Sequence, residues 1–336
     1  MSTEKSYGGA SIEAGKKSVS NANQLASVKE SRKTENNIND NLSKQDIASY
    51  KKAGEIMRKV REYAKSIIKK DENLLDIAEK IEAKIIELGG APAFPVNLSI
   101  NEIAAHYTPA YNDEEKARDL LKVDIGVAVD GCIADSAFSL DLAGGKYKQL
   151  IEAAEASLRA ALNYVKNNKE IRINEIGKRI HEEITKKGFS PVRNLSGHEL
   201  GKNMIHAGIT IPNYDNGNSS ILEKGAYAIE PFATSGIGLV YDGKMSEIYR
   251  FEERKGVRDK LAREIMDFIL EEYSSLPFCS RWIVKKFGTR GLLALSFLEQ
   301  AGIIYRYPQL VEKSQKEVSQ AEHTFIIDEK AEITSD

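Results

Sequence analysis

The sequence is poor in cysteine, with only Cys132 and Cys279 among 336 residues. Two thiols make no disulfide framework, so a reducing compartment, the cytoplasm, is the expected location. No apolar run approaches the roughly 18 residues that a membrane span needs, so no membrane partner is expected. The N-terminal stretch lacks the apolar core of a secretory signal. Neither charge sign dominates, with 48 Lys and Arg against 50 Asp and Glu. That balance argues against the basic footprint of a nucleic-acid binder, and no specific nucleic acid is expected. All eight prolines lie at or beyond Pro92.

What is present falls into three textures. Residues 1–42 are rich in Ser, Asn, Lys and Glu, with Tyr7 as their one aromatic. Such a segment buries too little apolar surface to offset its ordering entropy and reads as a disordered tail. From 43 onward one catalytic domain is expected. Ser43 with Asp46 suggests a capping box, followed by Ile47, Tyr50, Met57, Val60, Ala64 and Ile67 at helical spacing. Leu74, Ile77, Ile81, Ile85 and Leu88 predict a second helix that Gly89-Gly90 stops. Beyond residue 91, strands are predicted over 123–129, 132–140, 226–229, 244–251 and 323–327. Helices are expected over 145–168, 174–187, 256–275 and 280–301. The last two make a helical insert at about 252–307, and the class is mixed α/β.

The most informative local feature is Val123-Asp124-Ile125-Gly126-Val127-Ala128-Val129-Asp130-Gly131-Cys132-Ile133-Ala134-Asp135. Asp130-Gly131 between apolar runs predicts a two-residue hairpin of type I′, which needs positive φ at both positions. That turn sets Gly126 opposite Asp135 and sends Asp124 and Asp135 to one face, roughly 7–8 Å apart on the diagonal. Two carboxylates on an apolar hairpin repel each other and resist burial. Divalent metals would relieve both. A water-facing pair and an acid–base pair of the glycosidase kind remain open at this point.

Further ligand types follow. Glu230 stands in Ala228-Ile229-Glu230-Pro231-Phe232, read as a strand, and Glu322 in Ala321-Glu322-His323-Thr324-Phe325. Strand alternation sends Glu322 and His323 to opposite faces. Of the five histidines, His181 reads as solvated in a charged helix, whereas His106, His198 and His206 fall in segments read as loops. Carboxylates with imidazole suit hard or borderline divalent ions, and two such ions can generate hydroxide near neutral pH.

The order Asp124, Asp135, His198, Glu230, Glu322 resembles the metallo-aminopeptidases of the pita-bread fold. The words Ala93-Phe94-Pro95-Val96-Asn97-Leu98 through Ala105-His106-Tyr107-Thr108-Pro109, Asn194-Leu195-Ser196-Gly197-His198, Ile205-His206-Ala207-Gly208 and Gln320-Ala321-Glu322-His323-Thr324 resemble those of type 2 methionine aminopeptidases, in archaeal-like form. Residues 252–307, with Leu276-Pro277-Phe278 and Arg281-Trp282, resemble the winged-helix-like insert of that type. By itself the insert resembles a helix-turn-helix reader, but it lacks a dense basic face.

The resemblance implies a pita-bread enzyme that removes the initiator methionine from nascent chains, preferring a small second residue, with two divalent ions (Co, Mn, Fe(II) or Zn). Asp124 would chelate one metal, Asp135 and Glu322 would bridge both, and His198 and Glu230 would complete the other. Glu230 would also serve as base. His106 and His206 would contact the substrate amide and stabilise the tetrahedral intermediate, and Phe94, Phe232 and Tyr307 would form the methionine pocket. Nascent N-termini are the expected partners of a monomer, and the ribosome is left open as a partner. Two rivals carry less of the sequence: a non-catalytic adaptor of the same fold, against which all five ligands stand, and a prolidase-like enzyme, against which the His106 word and the insert stand.

Overall fold

The computed structural model describes residues 42–336; the tail expected over 1–42 lies, apart from Leu42, outside them. In chain order the elements are α1 (Lys44–Ile67), α2 (Leu74–Glu87), β1 (Ala91–Ile100), β2 (Ile103–Ala105), β3 (Leu120–Val129), β4 (Cys132–Asp141), α3 (Lys148–Asn167) and α4 (Ile173–Lys186). Then come β5 (Ser190–Pro191), β6 (Ser196–Leu200), β7 (Thr210–Pro212), β8 (Gly225–Ile229), β9 (Phe232–Thr234) and β10 (Val240–Phe251). The remainder is α5 (Lys260–Glu272), β11 (Phe278–Cys279), α6 (Ser280–Phe287), α7 (Arg290–Gln300), β12 (Ile304–Glu312), β13 (Val318–Gln320), β14 (His323–Ile327) and β15 (Ala331–Ile333).

The architecture repeats one theme twice: a helix pair lies over an antiparallel sheet. The apolar faces of α1 and α2 (Ile56, Met57, Val60, Ile81) pack on Val96, Leu98, Val123 and Val127 of the sheet β1-β3-β4. In the other half, Leu158, Ala161, Ile176 and Ile180 of α3 and α4 pack with Tyr227 and Phe325 of the sheet β15-β14-β8-β6-β7. Helix entry is fixed locally. Ser43 and Asp46 form the expected capping box at α1, and the Asn73 side chain accepts from the Leu75 and Asp76 amides at α2.

Three differences from the sequence reading have physical causes. The strand β1 goes unrecognised because Pro92 and Pro95 interrupt it; register shifts fall between Pro92 and Phe94 and between Phe94 and Asn97, the irregular positions where a strand tolerates proline. The helix expected over 280–301 is two helices, broken at Gly288, whose φ of 71° no L-residue adopts comfortably. The strand β12 is also unread, its alternation blurred by Tyr305, Arg306 and Tyr307. The helices α5, α6 and α7 share their own core, built from Ile265, Met266, Phe278, Ile283, Leu295 and Leu298. Among the described residues no helix is long and apolar enough to cross a membrane.

Candidate metal centre

The hairpin joining β3 and β4 has the expected turn, with φ of 50° at Asp130 and 81° at Gly131. Gly126 pairs with Asp135 and Asp124 with Ala137, so both aspartates leave one face. The second half-sheet brings the other candidates to them. Within it His198 of β6 pairs with Ala228 of β8, and Ile229 pairs with His323 of β14. Glu230 and Glu322, the next residues outward, therefore flank the same end. Two fastenings join the halves: the Glu322 amide donates to Ala137 O (3.0 Å), and Thr324 Oγ1 accepts from the Asp135 amide (2.7 Å) and donates to Asp135 O (2.9 Å).

Two local assignments change. His198 is a strand residue rather than a loop residue, held between β7 and β8. Glu230 stands in the joint between β8 and β9 rather than inside a strand, because Pro231 cannot donate to a ladder. Close approach in this half-sheet requires glycine at 197: a Cβ there would lie 2.3 Å from Ala228 O. Gly197→Ala is expected to cost about 1–3 kcal/mol by overpacking and to displace His198. Denaturant unfolding, read beside zinc binding, checks both effects.

The five candidates converge. His198 Nε2 lies 3.6 Å from Asp135 Oδ2 and 3.7 Å from Glu230 Oε1. One ligand atom each from Asp135, His198 and Glu322 lie within 4.8 Å of one another. Gln320 Nε2 donates to Asp124 Oδ2 (3.4 Å), and its side chain also bonds Glu230. Asp135, His198 and Glu322 are buried, whereas Asp124 and Glu230 are half-buried and form the open side.

Burial pushes all four carboxyls up. Asp124 reaches about 7 despite the Gln320 bond, and Asp135, Glu230 and Glu322 rise well above the carboxylate range, with their neighbours' negative charge adding to burial. Burial holds His198 down at about 4, so its imidazole is neutral, as a metal ligand must be. Asp124 Oδ1, Asp135 Oδ1 and Glu322 Oε1 are buried without any hydrogen-bond donor. Unsatisfied carboxylate oxygens in one buried cluster are costly. Divalent cations satisfy them, and two such cations balance the charge of four carboxylates. The residues present therefore fit the metals that the sequence led one to expect.

The remaining candidates are placed as follows. The His206 ring sits 4.5 Å from the His198 ring, edge to face. His106 follows β2 with a left-handed φ of 67°, its ring 5.3 Å from that of Tyr307, and its Nδ1 is 3.1 Å from Pro308 O. A carbonyl only accepts, so Nδ1 carries the proton. Burial depresses both histidines, His206 strongly. Phe94 packs with Ala128, Cys132 and Ile133 beside Gly126, whereas Phe232 packs with Ala104, Val192 and Val318. The two phenylalanines thus belong to separate apolar clusters, and only Tyr307 adjoins His106.

Sequence reasoning gave no role to three supporting residues. Gln320 spans Asp124 and Glu230; its place two residues before Glu322 was the available signal, since alternate strand positions share a face. Arg61, from α1, donates to Ala137 O (3.4 Å) and Glu322 O (3.3 Å), and Thr324 staples the half-sheets. Nothing in the local sequence marks Arg61, which reaches the site only through tertiary packing.

Comparison with known proteins agrees with this geometry. The model of metallopeptidase family M24 matches residues 48–260. The methionine aminopeptidase of Methanocaldococcus jannaschii is 46% identical over 297 residues, covering 86% of this chain and 99% of that protein. That of Thermococcus onnurineus is 47% identical over 291 residues, covering 84% and 97%. Among solved structures, the methionine aminopeptidase of Thermotoga maritima superposes with a TM-score of 0.60 at 22% identity, covering 88% of this chain and 98% of that one. A thermophilic Arx1 gives 0.74 at 15% identity, covering 87% and 91%. At such identities the last two show the fold alone.

Proposed function

The chain belongs to metallopeptidase family M24 and, within it, to the methionine aminopeptidases of the pita-bread fold, and from that premise we propose that it releases the initiator methionine from nascent chains whose second residue is small. The observation that carries the reading is the gathering of Asp135, Glu230 and Glu322 around the neutral His198, with buried oxygens of Asp124, Asp135 and Glu322 left without a donor. Asp124, Asp135, His198, Glu230 and Glu322 would hold two divalent ions. Such ions, when bound, supply hydroxide at neutral pH and Lewis-acid polarisation of the scissile carbonyl.

The rest of the chemistry belongs to side chains. Glu230, at 16% exposure against 4% for Asp135, faces the open side and takes the proton of the attacking water on a carboxylate oxygen. It then gives that proton to the leaving amine. His106, with its proton fixed on Nδ1 by Pro308 O, presents a lone pair at Nε2 and accepts the substrate's amide N–H. His206 donates to the carbonyl oxygen as charge develops on it. Phe94, Phe232 and Tyr307 shape the methionine pocket. The enzyme acts as a cytoplasmic monomer on nascent N-termini, the ribosome being a place of encounter, and residues 252–307 form a helical insert within one catalytic domain.

Competition between peptides tests the function. The manganese-loaded protein is expected to release Met from Met-Ala-Ser at least about a hundredfold faster than the first residue of an Xaa-Pro peptide, a gap of about 3 kcal/mol. Faster cleavage of the Xaa-Pro peptide would move the chain to a prolidase-like activity.

A further inference from the structure

The wall that carries His106 is fastened by residues from the far side of the sequence. Glu82 lies on α2 with 6% exposure, although its helix neighbours Ile81 and Ile85 form an apolar core. Both of its oxygens are saturated. They accept from Arg281 Nη1 (2.6 Å) and Nη2 (3.0 Å), from Trp282 Nε1 (2.8 Å) and from the Val96 amide (3.2 Å). Arg281, 2% exposed at the start of α6, reaches onward: Nε donates to Pro109 O and Nη2 to Thr108 Oγ1, each at 3.2 Å. Thr108 Oγ1 in turn donates to Val96 O (2.8 Å).

Val96 explains why the network exists. It sits in the register shift between Phe94 and Asn97, where β1 leaves its ladder with β3. Its amide and carbonyl need partners elsewhere, because a buried backbone group without one is costly. Glu82 takes the first and Thr108 the second, and Arg281 ties these two residues together. The irregularity that sets the direction of Phe94 is thereby locked to the loop that holds His106 in its left-handed conformation. That loop is also pinned by the Leu98 amide donating to Tyr107 O (2.7 Å). A bidentate guanidinium–carboxylate pair fixes direction as well as distance.

We propose that Glu82, Arg281 and Thr108 are positioning residues, a clamp through which α6 sets the substrate-contacting geometry of His106. The inference rests on the substrate role given to His106 above. Neither Glu82 nor Arg281 contacts the metal cluster, so substrate turnover depends on the clamp while metal affinity does not.

The zinc-loaded, full-length protein provides the test. Arg281→Met is expected to lower kcat/KM for Met-Ala-Ser by about tenfold or more, to shift the His106 ring Cε1–H resonance, and to leave zinc affinity within about twofold. In a His106→Ala background the same substitution should change kcat/KM by less than about twofold, since residues acting through one another are not additive. Thr108→Val removes one hydroxyl and stands in if Arg281→Met fails to fold; a smaller shift of the same resonance and a smaller loss of rate are expected. An unmoved His106 resonance in the folded variant overturns the proposal, as does an equal loss of rate with and without His106. If His106→Ala alone leaves the rate intact while the resonance still moves, the clamp stands and the substrate role of His106 falls.

Discussion

Replacing Asp135 by Asn is expected to lower kcat for release of Met from Met-Ala-Ser by about a thousandfold or more, a loss of roughly 4 kcal/mol in transition-state stabilisation. The exchange is nearly isosteric, and the backbone bonds to Thr324 remain available, so the fold should persist. What changes is charge. Asp135 lies 3.6 Å from His198 and shares its cluster with Glu322, so the amide removes a ligand from the most buried part of the site. Metal content should fall in parallel, measured by mass spectrometry on the same samples used for rates. The metal-free variant should also be more stable than the metal-free parent at pH 8, because one buried carboxylate no longer has to be held there. Activity within about tenfold of the parent would remove Asp135 from the ligand set.

Chelation gives the second large effect, and its pH dependence has a definite sign. In the metal-free protein Asp124 is pushed up to about 7, and Asp135, Glu230 and Glu322 are raised well above the usual carboxylate range, chiefly by burial. A carboxyl whose folded pKa is raised binds more protons folded than unfolded. It stabilises the fold fully below its unfolded value near 4, and that contribution is lost as pH rises through the folded value. His198, held at about 4, acts oppositely: it favours the fold as pH rises from about 4 toward the unfolded value near 6.5. His106, His206 and His323 are lowered too and act in the same direction. The two sets oppose each other below about pH 6.5, and above it only the carboxyls still act.

Metal-free protein should therefore lose stability steadily as pH rises from about 6.5 to 8. Divalent ions reverse the trend because they replace those protons. At a free metal concentration of about a thousand times Kd the gain is roughly 4 kcal/mol, or a Tm shift near 10 °C. Thermal unfolding with chelator and with manganese, at several pH values, reads the whole pattern. A Tm of the chelated protein that rises from pH 6.5 to 8 would show that the carboxyls are not buried together.

Much of this was legible in local sequence. The dipeptide Asp130-Gly131 specifies a turn, the turn specifies a register, and the register places Asp124 and Asp135 on one face before any tertiary structure is considered. Capping at Ser43 and the apolar stripes of α1 and α2 are local in the same sense. What local pattern cannot supply is the meeting of distant segments. His198, Glu230 and Glu322 reach the hairpin only because β6, β8 and β14 pair in that order, a fact of topology that alternation within one strand does not encode. Each of those three was a ligand candidate by itself, and resemblance to a family joined them to the aspartates; geometry then gave the reason for their proximity. The prolines of β1 hid a strand because its irregularity is stabilised from outside, by Glu82, Thr108 and Arg281. Arg61 escaped for the same reason, since it reaches Glu322 only through tertiary packing, across 261 residues of sequence.

Activity stands or falls with the metals. Metal-free protein, prepared anaerobically and titrated with manganese, should be followed by calorimetry for stoichiometry and by Met-Ala-Ser hydrolysis in the same samples. The predicted result is no release of methionine at zero metal, and release that grows with occupancy and saturates by two ions per chain. Full activity in protein shown by mass spectrometry to hold no metal would contradict it.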